Sequence, residues 1–323
     1  MNMTEVVHAL LTPPPIRVRT LGRMPPAAAD LVQLPTSSGA SSRGSHQLAC
    51  ARECPLRFAF RYHLRLRPRV EPPFRLAGTL AHTHLAYHYA EQLDDPSDWY
   101  LTQTLDEALA QDGAGNPTAL REAAEVAEAY KHRWAGEPLR PHSVEDEYRA
   151  TIGELDPDGP DPELDDEYIS CKTDLVAGIN GDDWVVDHKT QAGDHRTGRL
   201  RHWRDDGEFR INWQVLVNLM IIRKRVGPIR GFVINRVKRV APFDFDRHPL
   251  PIPALAYQHA PRAARNYVRA ELAIKKQIAA GDKPEAVYSA CYGRYGHCDY
   301  VDVCAASSRE EQTEILETQF LEG

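Results

Sequence analysis

The chain has 323 residues, 42% of them hydrophobic, enough to bury a sizeable core in one large domain or two small ones. Its formal net charge of −7 argues against indiscriminate attraction to polyanions, and no run of about 18 apolar residues offers a membrane span. Residues 1–19 lack the basic segment, apolar stretch and small-residue cleavage site of a secretory leader, so a cytoplasmic location is expected.

Residues 1–44, with Pro13-Pro14-Pro15 and a small polar run at 36–45, have the composition of an extended or partly ordered arm. A single domain is expected over 45–323, with a helical part at 45–140, a core at 141–280 and a cysteine-bearing tail at 281–323. Ser45 is placed to cap a helix carrying Leu48 and Ala49, and Pro55 to open another through Phe58, Phe60 and Tyr62. Gly78-Thr79 reads as the cap of a helix over 80–93, and 105–134 as one or two amphipathic helices. Strands are expected over 144–152, 167–179, 184–189 and 231–239, with a helix over 209–225 between the last two and a long helix over 261–280. That order predicts an α/β fold, a sheet core with a helical N-terminal cap.

Charge is unevenly spread. Basic stretches run from Arg52 to Arg75, from Arg196 to Arg204 and from Arg223 to Arg239, and they leave a basic face for phosphate backbones or plain solvated surface. Much of the acid lies in the proline-broken segment 154–167, which reads as a solvated loop between two strands.

Three of the six cysteines, Cys291, Cys298 and Cys304, close the chain, a spacing that favours metal binding over disulfides in a reducing compartment. A tetrahedral zinc or an iron–sulfur cluster needs a fourth ligand. Cys54 or Cys50 supplies it if the N-terminal helices fold back on the tail, and His297 is a local alternative. Cys171 reads as core.

The most informative stretch is Thr173-Asp174-Leu175 followed by Val185-Val186-Asp187-His188-Lys189, with Asn180-Gly181 between them. Asn-Gly suits a type I′ hairpin turn, which would put Asp174 opposite Asp187 with Cβ atoms roughly 4.5–5.5 Å apart. Like charges at that range need a neutraliser, and a divalent cation is one. Strand alternation puts Asp187 and Lys189 on one face and Val186 and His188 on the other. A turn at Gly181-Asp182 would instead pair Asp174 with Lys189 in an ordinary cross-strand ion pair, and spacing alone leaves both registers open. Glu147, on the preceding expected strand, is either an outer carboxylate of such a site or a solvated residue.

Taken together these residues make the chain resemble PD-(D/E)XK nucleases of the RecB type, especially the iron–sulfur branch with AddB-like and CRISPR-associated exonucleases. The resemblance rests on Ser45-His-Gln-Leu48 with Cys54-Pro-Leu-Arg-Phe58, Gly78-Thr-Leu-Ala-His82, Asp174 with Asp187-His-Lys189, Gln214, and Cys291, Cys298 and Cys304, in family order over 45–304. Asn218 departs from it, standing where the family often has tyrosine, and so does the long gap between Cys291 and Cys298. The resemblance implies a restriction-endonuclease-like mixed sheet flanked by helices. It also implies that His82, Asp174, Asp187 and the His188 carbonyl hold Mg²⁺ or Mn²⁺, with Lys189 orienting or deprotonating the attacking water. Gln214 joins the active site, and Cys54, Cys291, Cys298 and Cys304 hold a 4Fe-4S cluster. The implied activity is hydrolysis of DNA, single-stranded or at ends, in recombination, repair or replication with protein partners of those pathways. Two other readings stay open: a DNA-binding module that does not cut, and a zinc-stapled protein with no nucleic-acid role.

Overall fold

In the computed structural model, which describes residues 41–69, 73–94, 104–112, 116–192, 209, 211–293 and 296–322, Asn180 and Gly181 take φ of 54° and 88°. Positive φ at both central residues is the type I′ turn that matches the twist of a hairpin. The flanking strands pair Ile179 with Asp182 and Leu175 with Val186, so the Asn-Gly register holds and the Gly181-Asp182 alternative does not.

In chain order, α1 (Ser45–Glu53) and the short α2 (Pro55–Phe58) lead through a π turn at Ala59–His63 into β1 (Leu66–Pro68). Helices α3 (Pro73–Ala90), α4 (Leu105–Asp112) and α5 (Pro117–Arg133) follow. Next come β2 (Leu139–Val144), β3 (Glu147–Thr151), one helical turn α6 (Ile152–Leu155), β4 (Tyr168–Lys172), β5 (Leu175–Ile179) and β6 (Asp182–Gln191). Helix α7 (Trp213–Arg225), β7 (Gly231–Lys238), β8 (Asp244–Pro251) and α8 (Ala254–Ala279) complete the core. The tail carries β9 (Tyr292–Gly293), β10 (Gly296–His297), α9 (Val301–Ala305), α10 (Arg309–Gln319) and β11 (Phe320–Glu322).

The main sheet runs β2-β5-β6-β7-β8, antiparallel except for the β6–β7 pair. A parallel pair needs a crossover, and α7 provides it. One face buries Val176, Val185, Phe232, Ile234 and Leu250 against α7, α8 and Leu48 of α1. The other buries Leu175, Ala177, Val186, Val233 and Val237 against α3 and α5. Every residue of β7 is buried, as expected for a strand covered on both faces.

Several expected boundaries move. α1 is capped by Gly44, and Ser45 is its first, buried residue. Gly78 lies inside α3 rather than before it: a Cβ there would stand 2.8 Å from Thr190 Oγ1, so glycine serves a close approach and not a cap. α8 begins ahead of Pro261, which sits within the helix. Strands β2 and β8 were not expected; both lie at sheet edges, where proline is tolerated.

The acidic segment is less free than its composition suggests. Arg265 of α8 binds Asp156 at 2.9 Å and Asp165 at 3.1 Å, Arg225 binds Glu154 at 2.7 Å, and Arg269 binds Asp161 at 2.9 Å. In the third basic stretch Arg236 is buried with Asp246 at 2.8 Å and Lys238 is buried with its ammonium on the Pro242 carbonyl at 2.5 Å, while Arg223, Lys224 and Arg230 are exposed. The stretch from Arg196 to Arg204 lies outside the described residues.

The N-terminal helices do fold back on the tail. β1 pairs antiparallel with β11, Tyr300 donates to the Leu66 carbonyl at 2.7 Å, and Leu56 and Phe60 pack with Tyr300, Val303, Leu316 and Phe320. Among the described residues no helix is long and apolar enough to cross a membrane.

Candidate active site

The strands expected over 144–152 and 167–179 each break, and they break opposite one another. Glu145, at φ 54°, separates β2 from β3, while Thr173 and Asp174 separate β4 from β5. Two backbone bonds hold the joint: Glu145 N–H to the Asp174 carbonyl and Thr173 N–H to the Asp146 carbonyl, both 3.1 Å. A break in a ladder re-aims side chains. Here it brings Glu145 and Asp174 to His82 of α3, so that one ligand atom from each of the three lies within 4.8 Å of the others.

His82 reaches this point because α3 lies close on β6. Gly78, one turn before His82, leaves room for Thr190 of β6. His82 Nδ1 then stands 3.6 Å from Asp174 Oδ2, and the same carboxylate oxygen accepts the His188 N–H at 2.6 Å. The side chains of His82 and Asp174 keep 30% and 19% of their surface exposed, so solvent reaches both. Asp187 and Lys189 share a face of β6 as alternation requires, with Nζ 2.5 Å from Asp187 Oδ2. Gln214, at the start of α7, donates to Asp187 Oδ1 at 3.3 Å, and its own N–H is capped by Asn212 at 2.8 Å. The His188 ring turns to the other face, where its Nδ1 meets Asn235 at 2.5 Å.

Of the six residues expected at the site, His82 and Asp174 meet in one group with Glu145, the His188 N–H bonds Asp174, and Asp187, outside that group of three, meets Lys189 and Gln214, so each of the six meets another. Glu147 does not join them. It binds Ser42 at 2.8 Å and Arg149 at 3.2 Å away from the cleft, and the carboxylate from this part of the chain is Glu145. The only sequence signal for it was the adjacent pair Glu145-Asp146 within an alternating run, where a kink is cheaper than burying acids in a ladder.

The electrostatics suit a cation. Burial, and then the charge of Asp187, push the Asp174 carboxyl up to about 7, against Lys189, the His188 N–H and Lys172. Burial also raises Glu145, with Lys172 opposing at 2.9 Å. Burial lowers the pKa of His82, which keeps the imidazole neutral and its lone pair free. Clustered carboxylates that resist ionising together, beside a neutral imidazole, form the hard oxygen and nitrogen donor set of Mg²⁺ or Mn²⁺.

Where the N-terminal helices meet the tail, Cys54, Cys298 and Cys304 share one apolar cluster, and Cys298 N–H bonds the Cys291 carbonyl at 2.8 Å. The Cys304 thiol is pushed up to about 11, by burial first and then by the neighbouring thiols of Cys291, Cys298 and Cys54. Cys50 packs elsewhere, with Phe58, Ile274 and Ile278, and accepts from Arg57 at 3.3 Å. Cys171 is core.

Among solved structures the chain overlaps a proposed exonuclease from Eubacterium rectale with 14% identity and a TM-score of 0.47, covering 82% of this chain and 88% of that one. It also overlaps the protein SSO0001 with 12% identity and a TM-score of 0.28, covering 60% and 74%. Neither overlap is tight enough to carry weight. No curated protein matches the chain. A family model does: residues 45–305, which hold the kinked ladder, His82, the two aspartates, Lys189 and Cys54, Cys291, Cys298 and Cys304, match the PD-(D/E)XK nuclease superfamily, and the chain belongs to that family.

Proposed function

We propose that this chain is a divalent-metal-dependent deoxyribonuclease, an exonuclease on single-stranded DNA or DNA ends, of the RecB-type iron–sulfur branch. The observation that carries the reading is the convergence of His82, Glu145 and Asp174 within 4.8 Å beside the Asp187–Lys189 pair. His82, Glu145, Asp174 and Asp187 would hold Mg²⁺ or Mn²⁺, with the His188 carbonyl as a further ligand. A bound ion supplies the positive charge that polarises a phosphodiester and acidifies an attacking water. Lys189 orients that water or takes its proton, and Asp187 keeps the ammonium in place. Gln214 holds Asp187 in turn.

Cys54, Cys291, Cys298 and Cys304 would hold a 4Fe-4S cluster with a structural role. The cellular setting proposed is cytoplasmic DNA recombination, repair or replication.

The test is digestion of end-labelled linear and circular single-stranded and duplex DNA by anaerobically purified protein with Mg²⁺ or Mn²⁺. Stepwise shortening of linear DNA is expected. Cutting of circles would replace the exonuclease by an endonuclease, and bound but intact DNA in every metal would leave a binding module.

A further inference from the structure

Behind the metal-facing side of β6 lies a buried polar cluster that the reaction scheme does not use. Arg247 of β8 is paired with Glu137, and its guanidinium lies 4.1 Å from the Trp134 ring centre. Arg247 donates to the Tyr89 and Tyr130 hydroxyls, both at 2.8 Å, and from Nε to Asn235 Oδ1 at 3.3 Å. The two tyrosine hydroxyls share a further bond of 2.6 Å. Asn235 Nδ2 bonds Tyr130 Oη at 2.8 Å and His188 Nδ1 at 2.5 Å.

Donor and acceptor accounting fixes the direction of this chain. Arginine only donates, so the asparagine oxygen must face Arg247 and its NH₂ must face His188. His188 Nδ1 is then the acceptor, and the neutral ring carries its proton on Nε2. That ring is held on two further sides by one helix: it stacks on Tyr89 at 5.7 Å and 8°, and meets His82 edge-on at 5.9 Å and 81°. Tyr89 and His82 are seven residues apart on α3, two turns along one face. The His188 ring is thus a contact, beside the Gly78–Thr190 approach, that registers β6, bearing Asp187 and Lys189, against α3, bearing His82. The His188 N–H fixes Asp174 at the same point.

We infer that Asn235, locked by Arg247, is a positioning residue for the metal centre. It holds the His188 ring in one tautomer and one orientation, and through it sets where His82 stands relative to Asp174 and where the His188 main chain is presented. This rests on the metal-dependent nuclease reading. Outer residues that orient metal ligands typically carry about 10- to 100-fold in metal affinity, although they touch neither metal nor substrate.

Two measurements test it. Nitrogen-15 NMR of the histidines in metal-free protein at neutral pH should show His188 protonated on Nε2 and bare on Nδ1; a ring protonated on Nδ1 overturns the inference without any variant. Mn²⁺ titration should then find Asn235→Leu and Asn235→Asp weakened roughly tenfold or more, with cleavage recovered at high Mn²⁺ and little change in KM for DNA. A purely structural role would lower the melting temperature of the variants and leave Mn²⁺ affinity within twofold of the parent, which overturns the inference and spares the nuclease reading. A parent protein that neither binds Mn²⁺ nor cuts DNA would sink both.

Discussion

Glu145 has partners of opposite character: the Lys172 ammonium at 2.9 Å and, across the cleft, the Asp174 carboxyl. Lys172 opposes the effect of burial, which raises the Glu145 carboxyl above its ordinary range, and a divalent ion would add to that opposition. Glu145→Gln keeps the shape and removes the charge, so it should weaken Mn²⁺ binding about tenfold or more by calorimetry; unchanged affinity would remove Glu145 from the centre. Asp174 makes a pH prediction. Its folded pKa of about 7 lies above the value of an unfolded aspartate, near 4. Between those two values the folded metal-free chain holds a proton that the unfolded chain has released, so this group's contribution to stability falls as pH rises through the window. The metal needs the carboxylate, so binding should release a proton at about pH 6 and tighten as pH rises toward 8. Calorimetry in two buffers of different ionisation enthalpy reads that proton directly, and equal heats would contradict the assignment.

Among elements, the decisive one is the kinked pair of hairpin arms. The Asn180-Gly181 turn was legible as a candidate because both residues favour positive φ, but the rival turn at Gly181-Asp182 was excluded only by the observed register. The kink was not legible. Period-two alternation continues across 144–152 and 167–179, and nothing local marks Glu145 as left-handed, so Glu147 was the carboxylate weighed there, as an outer ligand or a solvated residue. Edge strands β2 and β8 escaped notice for a related reason: Pro141 and Pro249 read as breakers, yet at an edge a missing N–H costs no ladder bond. Gly78 was read as a cap because glycine at a helix end and glycine at a helix crossing look alike in one sequence. Its real role makes a prediction: Gly78→Val should push α3 off Thr190 and destabilise by about 1–3 kcal/mol. It should also displace His82 and weaken Mn²⁺ binding. A variant as tight and as stable as the parent would refute the close-approach account.

On the scale of the whole molecule, the chain closes on itself twice. The acidic segment is pinned to α8 and α7 by Arg265 and Arg225, and the N-terminal helices are tied to the tail by β1–β11 and an apolar cluster containing Cys54, Cys298 and Cys304. The second closure was one of two options that the cysteines left open, since the fourth ligand could come from Cys54 or Cys50 in a folded-back helix or locally from His297. The first was not foreseen, because composition cannot tell a solvated acid from one facing an arginine far along the chain. If an iron–sulfur cluster joins the two ends, Cys304→Ser should abolish the visible absorbance and lower the melting temperature by more than about 4 °C, while Cys50→Ser does neither. Equal behaviour of the two variants would argue against the cluster. The central claim is that the cleft around Asp174 is a metal-dependent catalytic centre, and the direct measurement is single-turnover cleavage of end-labelled DNA by the parent and by Lys189→Ala, each with Mn²⁺ and with EDTA. The account predicts products only for the parent with Mn²⁺ and a rate at least ~100-fold lower for the folded variant; products in EDTA, or full activity without Lys189, would contradict it.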